Sequence, residues 1–313
     1  MRVLRSIEGL AEIQGPVVIA AGVFDGMHLG HQAVLSEALR ESKKIGATAV
    51  ALTFDPHPTT VLRPDTVPGL LTPTPFKLRL MESMGVTHAL VVTFDKDFAA
   101  LQAEDFVEQL CAAANPLAGI CIGKGWAFGN QRRGNIDLLR QLGREKNFFT
   151  CEVPPVRIDD MVISSTTIRL ALSEGRLSDA VQLLGRDHTI AGPVLRGAGL
   201  GRQIGFPTAN LATDHLQLPP DGVYAVEVLV EGKPHPGVAN LGIRPTVDKT
   251  RTRLLEIHLF DYAGDLYDRE VEVRLKHFLR REQRFDSLDL LKSQIARDAE
   301  AAREFLANQP AAA

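Results

Sequence analysis

The sequence predicts an α/β domain built on a parallel sheet, followed by an all-β domain that carries a C-terminal helix. As far as about residue 186, apolar segments without polar alternation are separated by amphipathic ones. Beyond that point, β-branched segments are separated by frequent Gly and Pro. The chain has 313 residues, which is more than one compact core normally covers. We therefore expect two domains, residues 1–186 and 187–313.

The predicted strands of the first domain are short apolar runs that end in turn residues. They are Val17–Val23, Ala47–Phe54, His88–Thr93, Gly119–Gly123 and Phe148–Val153. The predicted helices between and after them are Gln32–Lys44, Phe76–Met84, Glu104–Ala114 and Ile136–Glu145. This alternation indicates a parallel sheet covered by helices on both faces, with ligands at the carboxyl ends of the strands. A further helix containing Ala180 to Leu184 leads to the expected boundary at Gly185–Asp187.

The second domain has the spacing of a small barrel or sandwich. Its predicted strands are Val223–Val230, Leu254–Phe260 and Glu270–Leu275. Turn residues separate them, at Pro219–Gly222, Gly232, Pro234, Pro236–Gly237 and Arg244–Pro245. The stretch from Ser287 to Leu306 has apolar residues at helical spacing and predicts an amphipathic helix capped by Ser287. Residues 308–313 are expected to fray.

The composition excludes several classes of protein. Hydrophobic residues make up 45% and charged residues 23%, as in a soluble globular protein. The net charge is −3 and neither half is basic, so no nucleic-acid partner is expected. The longest apolar run, Val17–Phe24, is too short for a membrane helix, and no signal-peptide core is present. Cys111, Cys121 and Cys151 form no CxxC motif, which favours small buried thiols in a reducing cytoplasm.

The first candidate site follows the first predicted strand of the α/β domain and reads Gly22-Val-Phe-Asp-Gly-Met-His-Leu-Gly-His31. Its glycines permit a tight turn with close backbone approach. His28 and His31 lie three residues apart at a helix start, beside free backbone N–H groups, which makes an anion site with two further donors. A chance occurrence of H-x-G-H is the alternative. The candidate phosphate-binding residues are Gly22, Phe24, Asp25 and Gly30.

A second candidate site is the hydroxyl-rich stretch Ile163-Ser-Ser-Thr-Thr-Ile-Arg169. One of these hydroxyls is expected to cap the helix that runs from about Thr167 to Glu174. Ser164, Ser165 and Thr166, followed by Arg169, exceed what a cap requires. A second phosphate-binding helix start with a guanidinium clamp is therefore favoured.

The third candidate is the loop Gly201-Arg-Gln-Ile-Gly-Phe-Pro-Thr-Ala-Asn210. In extended chain, Thr208 and Asn210 face one side. Their hard oxygen donors, beside a phosphate, suit Mg²⁺. A plain turn with local side-chain caps remains the alternative.

The fourth candidate is Glu256, which interrupts an otherwise apolar strand. A carboxylate in such a place is either solvated or positioned as a base. His258 lies on the same face and is expected to be an ordinary strand residue. The basic stretch Lys249–Arg253 is expected to be a solvated turn.

These four motifs, in this order, resemble the bacterial bifunctional riboflavin kinase/FAD synthetases. The resemblance covers nearly the whole chain, and further matching segments are Thr53–Pro58, Asp221–Ala225, Gly237–Thr246 and Arg284–Leu288. It implies a Rossmann-like nucleotidylyltransferase domain in front and a six-stranded β-barrel flavokinase domain with a C-terminal helix behind. It also implies two reactions, riboflavin to FMN in the barrel and FMN to FAD in the front domain, each with ATP.

The resemblance assigns roles to individual residues. Glu256 is implied as the general base of the kinase, with Thr208 and Asn210 holding Mg²⁺ and Gly201 near the phosphates. His28 and His31 are implied to stabilise the transition state of the adenylyl transfer, while Ser164, Ser165, Thr166 and Arg169 clamp the polyphosphate. The implied flavin contacts are Phe54, His57, Trp126, Phe128 and Asn240.

Two positions depart from the family's pattern. Family members commonly carry Asn where Val23 stands, and Asp or Asn where Gly125 stands in Gly123-Lys-Gly-Trp-Ala-Phe-Gly129. Lys124 or Asn130 are candidates to compensate. A riboflavin kinase with an impaired adenylyltransferase half is therefore an alternative to the bifunctional enzyme. A non-catalytic flavin or nucleotide sensor is another, which the retention of Glu256 disfavours.

Overall fold

The computed structural model describes residues 1–196, 201, 204–245 and 251–309. The chain packs as two units. The front unit comprises residues 1–68 and 74–167, and the rear unit comprises residues 69–73 and 168–313. The predicted domain boundary at residue 186 lies after the helical segment that packs with the rear unit.

The front unit is a parallel sheet, as predicted, and it has six strands where five were expected. Its strand order is β1-β4-β3-β2-β5-β6. The strands are β1 Arg2–Leu4, β2 Val17–Ala21, β3 Thr48–Asp55, β4 His88–Thr93, β5 Leu117–Gly123 and β6 Phe149–Val153. The short edge strand β1 was not predicted, because three residues carry too little periodicity to be recognised.

Helices cover the sheet, and successive side chains along each strand enter separate apolar layers. Ile19 belongs to one layer and Val18 to the other, so the strands are apolar on both faces. The helices are α1 Leu29–Lys44, α2 Pro58–Leu62, α3 Thr74–Ser83, α4 Lys96–Ala100, α5 Ala103–Ala113 and α6 Ile136–Lys146. A small hairpin, β7 Arg157–Ile158 and β8 Met161–Val162, precedes α7 Ser165–Ser173 and α8 Leu177–Leu184.

The rear unit is a closed antiparallel barrel with the strand order β10-β13-β12-β11-β14-β9. β9 and β10 also pair with each other, which closes the barrel. The strands are β9 Thr189–Leu195, β10 Ala209–Ala212, β11 Gly222–Val230, β12 Lys233–Pro245, β13 Arg251–Leu259 and β14 Glu270–Arg280. The helix α9, Leu288–Ala307, packs against β11, β12 and β14.

Turns were expected at Pro234, at Pro236–Gly237 and at Arg244–Pro245. These expectations are wrong, because all of these residues lie inside β12. β12 pairs with β11 from Lys233 onward, but its pairing with β13 begins only at Gly237. Pro234 and Pro236 therefore have a strand on one side alone. Proline is tolerated in a strand where its missing N–H faces no partner.

An ion pair between a buried carboxylate and a partly buried guanidinium joins α9 to the barrel. Arg280 on β14 donates from Nε and Nη2 to the two carboxylate oxygens of Asp298, at 2.8 and 2.7 Å. Gln294 donates to the same carboxylate at 2.8 Å. Paired N–H···O bonds of this geometry are among the stronger hydrogen bonds in proteins.

We predict that Asp298→Ala destabilises the rear unit by about 2 kcal/mol, because the partly buried Arg280 guanidinium loses its charged hydrogen-bond partner. Thermal or urea unfolding measures the change. Glu300→Ala, on an exposed position of the same helix, is the matched control and should unfold like the wild type. Equal stability of the two variants would contradict the assignment.

Among the described residues, no helix is both long and apolar enough to cross a membrane. All three cysteines are free; Cys121 is buried, and Cys111 and Cys151 are partly buried. Burial raises the pKa values of all three thiols. The prediction of small buried thiols agrees with this.

Candidate active sites

The chain makes a tight turn between β2, at the centre of the front sheet, and α1. Phe24, Gly26 and Met27 all have positive φ values, of 54°, 89° and 42°. A Cβ on Gly22 would lie 3.0 Å from the Phe24 ring, so the turn packs tightly on itself. The turn lies at the carboxyl end of a parallel strand, where such sheets bind ligands.

His28 and His31 lie together at the start of α1. His28 is the N-cap, and its Nδ1 accepts a hydrogen bond from the backbone N–H of His31 at 3.2 Å. The two imidazole rings are stacked, with centroids 3.6 Å apart. A Cβ on Gly30 would lie 3.2 Å from the His28 ring. Glycine at this position therefore leaves room for the stacked pair.

The His31 ring is held in an environment that disfavours its protonation. Burial, the neighbouring His28 and the charge of Lys77 keep the pKa of His31 well below its ordinary value. Its Nδ1 atom is buried and has no hydrogen-bond partner among the described residues. A neutral imidazole with an unsatisfied ring nitrogen is suited to hydrogen-bond an incoming group.

The residues of the hydroxyl-rich stretch make different contacts. Ser164 Oγ accepts from the N–H of Thr167 at 3.1 Å and caps α7, as expected for one of these hydroxyls. Ser165 Oγ donates to the carbonyl oxygen of Asp25 at 2.8 Å, which ties the start of α7 to the turn after β2. Thr166 is exposed. Within the rear unit, Arg169 Nε donates to the Gly69 carbonyl oxygen at 2.8 Å.

The four front-unit residues expected at the flavin lie in two places. Phe54 and Phe128 are buried in the apolar layer and belong to a run of ring contacts through Phe98 and Phe106. Trp126 stacks on Phe128 with centroids 4.9 Å apart. His57 caps α2, its Nδ1 accepting from the N–H of Thr59 at 3.2 Å. Phe54 and His57 lie at the end of β3 and just after it, whereas Trp126 and Phe128 follow the end of β5.

The two departures from the family's pattern have local explanations. The Val23 side chain packs against the apolar layer. Gly125 has a φ of 80° and open space around its missing Cβ. Asn and Asp tolerate this left-handed conformation better than other non-glycine residues do. The loop conformation is therefore open to a glycine and to the family's usual residues.

Sequence reasoning missed Lys77. This residue of α3 is 4% exposed. Its ammonium donates to the carbonyl oxygen of Val23 at 3.0 Å and to Thr53 Oγ1 at 3.2 Å. The signal available in the sequence was a lysine between Phe76 and Leu78 near a helix start, which is too weak to distinguish it from a surface residue.

The candidate site of the rear unit is a row of polar side chains across the barrel. Glu256 on β13 is paired with Asn210 of β10 on one side and with Asn240 of β12 on the other. Val223 of β11, next to Asn240, is paired in turn with Arg280. Directly opposed residues share one face of a sheet, so Asn210, Glu256 and Asn240 project together. The alternating face holds Leu211, Leu241 and Leu255, which are fully buried.

Glu256 and Asn240 of this row, with the neighbouring Val223 and Arg280, line a cavity of about 230 Å³. Its apolar lining includes Phe206, Val238, Phe285, Leu291 and Ile295, the last two from α9. Glu256, Asn240 and Thr208 supply polar atoms. An apolar cavity with a few convergent polar groups is typical of a small-molecule site.

Thr208 lines the cavity, and Asn210, two residues further along the chain, lies beside Glu256 in the sheet. Asn210 is buried, and its Oδ1 has no hydrogen-bond partner among the described residues. A Cβ on Gly201 would lie 2.4 Å from the Phe206 carbonyl oxygen and 2.9 Å from Thr208 Oγ1. The backbone N–H of Phe206 donates to the Gly201 carbonyl oxygen at 2.8 Å, so glycine permits the closure of this loop.

His258 was expected to be an ordinary strand residue, but it lines the same cavity. Its Nδ1 is 2.9 Å from the carbonyl oxygen of Pro207, which can only accept, so Nδ1 carries the proton. Its ring meets Phe206 edge-on at 5.5 Å. His258 thereby supports the loop that precedes β10.

A second cavity of about 420 Å³ adjoins the first at Thr208, which lines both. Tyr262, Tyr267 and Arg196 line it, and the Arg196 guanidinium lies 4.8 Å from the centre of the Tyr267 ring. Residues 246–250, with Lys249 and Thr250 of the expected basic turn, and residues 310–313 lie outside the described residues. Arg251–Arg253 belong to β13, so the expectation of a turn is wrong for these three residues.

Two known families match the chain, one in each of the two predicted domains. The FAD synthetase family matches residues 10–167, and the riboflavin kinase family matches residues 184–306. The bifunctional riboflavin kinase/FMN adenylyltransferase of Escherichia coli strain K12 is 42% identical over 307 residues, covering 97% of this chain and 98% of that protein. The protein of the same name from Pseudomonas fluorescens is 36% identical over 307 residues, covering 98% of each chain.

A solved structure agrees over the full length. A crystal structure titled as a macrolide-efflux protein from Streptococcus pneumoniae is similar, with a TM-score of 0.82 and 30% sequence identity. The match covers 98% of this chain and 99% of that one.

The fold and the two sites define a two-domain transferase: a Rossmann-like nucleotidylyltransferase domain in front and a six-stranded flavokinase barrel with its C-terminal helix behind. The chain belongs to the bifunctional riboflavin kinase/FMN adenylyltransferase family.

Proposed function

We infer that this chain phosphorylates riboflavin to FMN in its barrel and adenylylates FMN to FAD in its front domain, using ATP in both reactions. The observation that carries the inference is the row Asn210–Glu256–Asn240, which places one carboxylate between two amides, with Glu256 and Asn240 lining an apolar cavity. We assign the first activity to residues 187–313 and the second to residues 1–186. ATP as substrate and three free thiols fit a cytoplasmic protein.

In the kinase reaction, Glu256 acts as the general base. It accepts the proton of riboflavin's terminal ribityl hydroxyl while that oxygen attacks the γ-phosphorus of ATP. The bond from the γ-phosphorus to the bridging oxygen breaks, and ADP leaves. Positioning supplies much of the rate in phosphoryl transfer, and the rigid barrel strands that carry Glu256 provide it.

We place riboflavin and ATP in different ones of the two adjoining cavities. The isoalloxazine ring fits the apolar cavity beside Phe206 and Val238, with Asn240 as a polar contact. Asn240 is held in place by a hydrogen bond from its Nδ2 to Glu282 at 3.1 Å. ATP occupies the more polar cavity on the other side of Thr208, near Tyr262 and Arg196. The γ-phosphate then meets the ribityl hydroxyl at Thr208 and Glu256.

Mg²⁺ fits the donor set beside the phosphates. The buried Oδ1 of Asn210 has no partner within the described part of the chain, and a hard oxygen of this kind suits Mg²⁺. Asn210 and Thr208 would hold the ion together with phosphate oxygens and water. When bound, the ion neutralises charge on the β- and γ-phosphates.

In the adenylyl transfer, a phosphate oxygen of FMN attacks the α-phosphorus of ATP and pyrophosphate leaves. His28 and His31 hydrogen-bond the phosphates and stabilise the charge that develops there. The backbone N–H groups of the turn from Gly22 to Gly30, with Phe24 and Asp25, hold the polyphosphate at the start of α1. Ser164, Ser165, Thr166 and Arg169 clamp it. Trp126 and Phe128, with Phe54 and His57, contact the flavin.

A time course tests the proposal. The purified protein is incubated with riboflavin, ATP and Mg²⁺, and the flavins are separated by chromatography. We expect FMN to appear first and then to convert to FAD. FMN that accumulates without FAD, even when FMN is supplied directly, would favour a kinase with an impaired front domain. Flavin or ATP binding without either product would favour a sensor.

A further inference from the structure

Lys77 lies beneath the turn that carries the phosphate-binding residues of the front unit. Its ammonium donates to the Val23 carbonyl oxygen at 3.0 Å and to Thr53 Oγ1 at 3.2 Å. The Thr53 hydroxyl itself donates to the Val23 carbonyl oxygen at 2.9 Å. The three groups therefore form a closed triangle that joins α3, β3 and the residue just before Phe24.

The ammonium is a buried charge with acidic and imidazole neighbours. Burial lowers the pKa of Lys77, while the carboxylates of Asp25 and Asp55 raise it. The same ammonium lowers the pKa of His31, after burial and the neighbouring His28. Asp25 lies in the turn and Asp55 ends β3. The charge therefore lies among the groups at the carboxyl ends of β2 and β3.

We propose that Lys77 is a positioning residue of the adenylyl transfer: its ammonium fixes the turn from Val23 to His28 and places a positive charge behind the stacked His28–His31 pair. The proposal rests on the function inferred above for this site. The Val23 carbonyl already accepts from Thr53, so the amine is not needed to satisfy that carbonyl. Burying an ammonium is unfavourable unless its surroundings use the charge.

The backbone conformation of the turn explains how Lys77 positions the two histidines. Phe24, Gly26 and Met27 take up positive φ values, and Val23 is the last residue before them. A carbonyl that accepts hydrogen bonds from both an ammonium and a hydroxyl cannot rotate freely. The hydrogen bonds at Val23 therefore fix the turn that leads to His28 and His31. A displacement on the order of 1 Å of a catalytic group can cost about 10²-fold in rate.

Four variants of the full chain test the proposal. Lys77→Met removes the charge and both hydrogen bonds; Lys77→Gln keeps a donor and removes the charge. Thr53→Val removes the hydroxyl and keeps the charge. Lys43→Met, on the exposed last turn of α1, is the matched control. Each is assayed for FAD formation from FMN and for riboflavin phosphorylation, and the His31 imidazole is titrated by NMR.

We expect Lys77→Met to lower kcat for FAD formation about 10²-fold, with riboflavin phosphorylation and the control unchanged. The His31 titration should move to higher pH in both Lys77 variants and stay unchanged in Thr53→Val. A folded Lys77→Met that forms FAD like the wild type would overturn the proposal. Should that variant not fold, an unshifted His31 titration in Lys77→Gln would overturn it. A wild-type chain that makes no FAD would instead refute the proposed function, and the titration would still decide the role of Lys77.

Discussion

Glu256→Gln should slow FMN formation by about 10³-fold while the conversion of supplied FMN to FAD continues. The amide keeps the size of the side chain but cannot accept the proton of the ribityl hydroxyl. General-base catalysis is typically worth 10²–10⁴-fold, so we expect kcat for riboflavin phosphorylation to fall about 10³-fold with a small change in KM. Flavin chromatography with each substrate supplied separately measures both activities.

The control for this prediction is Glu304→Gln, on an exposed position of α9, which should leave both activities intact. Since Glu256 lies between Asn210 and Asn240 in the barrel register, its amide variant is expected to fold normally. Undiminished riboflavin phosphorylation by Glu256→Gln would remove the carboxylate from the mechanism.

His28→Ala should slow FAD formation by about 10²–10³-fold, because a donor aimed at developing phosphate charge is lost. Riboflavin phosphorylation should continue, since His28 belongs to the front unit alone. The same change removes the N-cap of α1, which costs about 1 kcal/mol of stability.

His28→Asn separates the two roles. An asparagine oxygen can accept the cap hydrogen bond from the N–H of His31 but cannot replace the imidazole. We therefore expect His28→Asn to be as slow as His28→Ala in forming FAD, yet nearly as stable as the wild type in thermal unfolding. Recovery of FAD formation in the asparagine variant would show that capping is the main role of His28.

Much of the front unit was predictable because its strands are apolar on both faces and its turns carry Gly and Asp. The strand His88–Thr93 has the predicted bounds, and α1 begins three residues earlier than predicted because His28 is its cap. β12 was not predictable, since its prolines are tolerated only because β13 ends at Leu259, opposite Gly237. The contact of Lys77 with the turn was not predictable either, because α3 and the turn are more than 50 residues apart in the chain.

The kinase site was predictable in part. The spacing of Thr208 and Asn210 indicated one shared face, and the polar interruption of a strand singled out Glu256. The alignment of Glu256 with Asn210 and Asn240 is a matter of register among three strands distant in sequence. His258 was assigned to the right face, but its support of the Pro207 loop required the structure.

During protein synthesis, the residues of α9 that complete the kinase cavity are added later than the residues of the front site. Leu291, Ile295 and Asp298 of this helix form part of the wall of the kinase cavity, whereas His28, His31 and Ser165 are all translated well before it. A ribosome has therefore released the whole front unit before it adds the residues that close the barrel cavity. Premature termination ahead of Leu288 would yield a chain that makes FAD only when FMN comes from elsewhere.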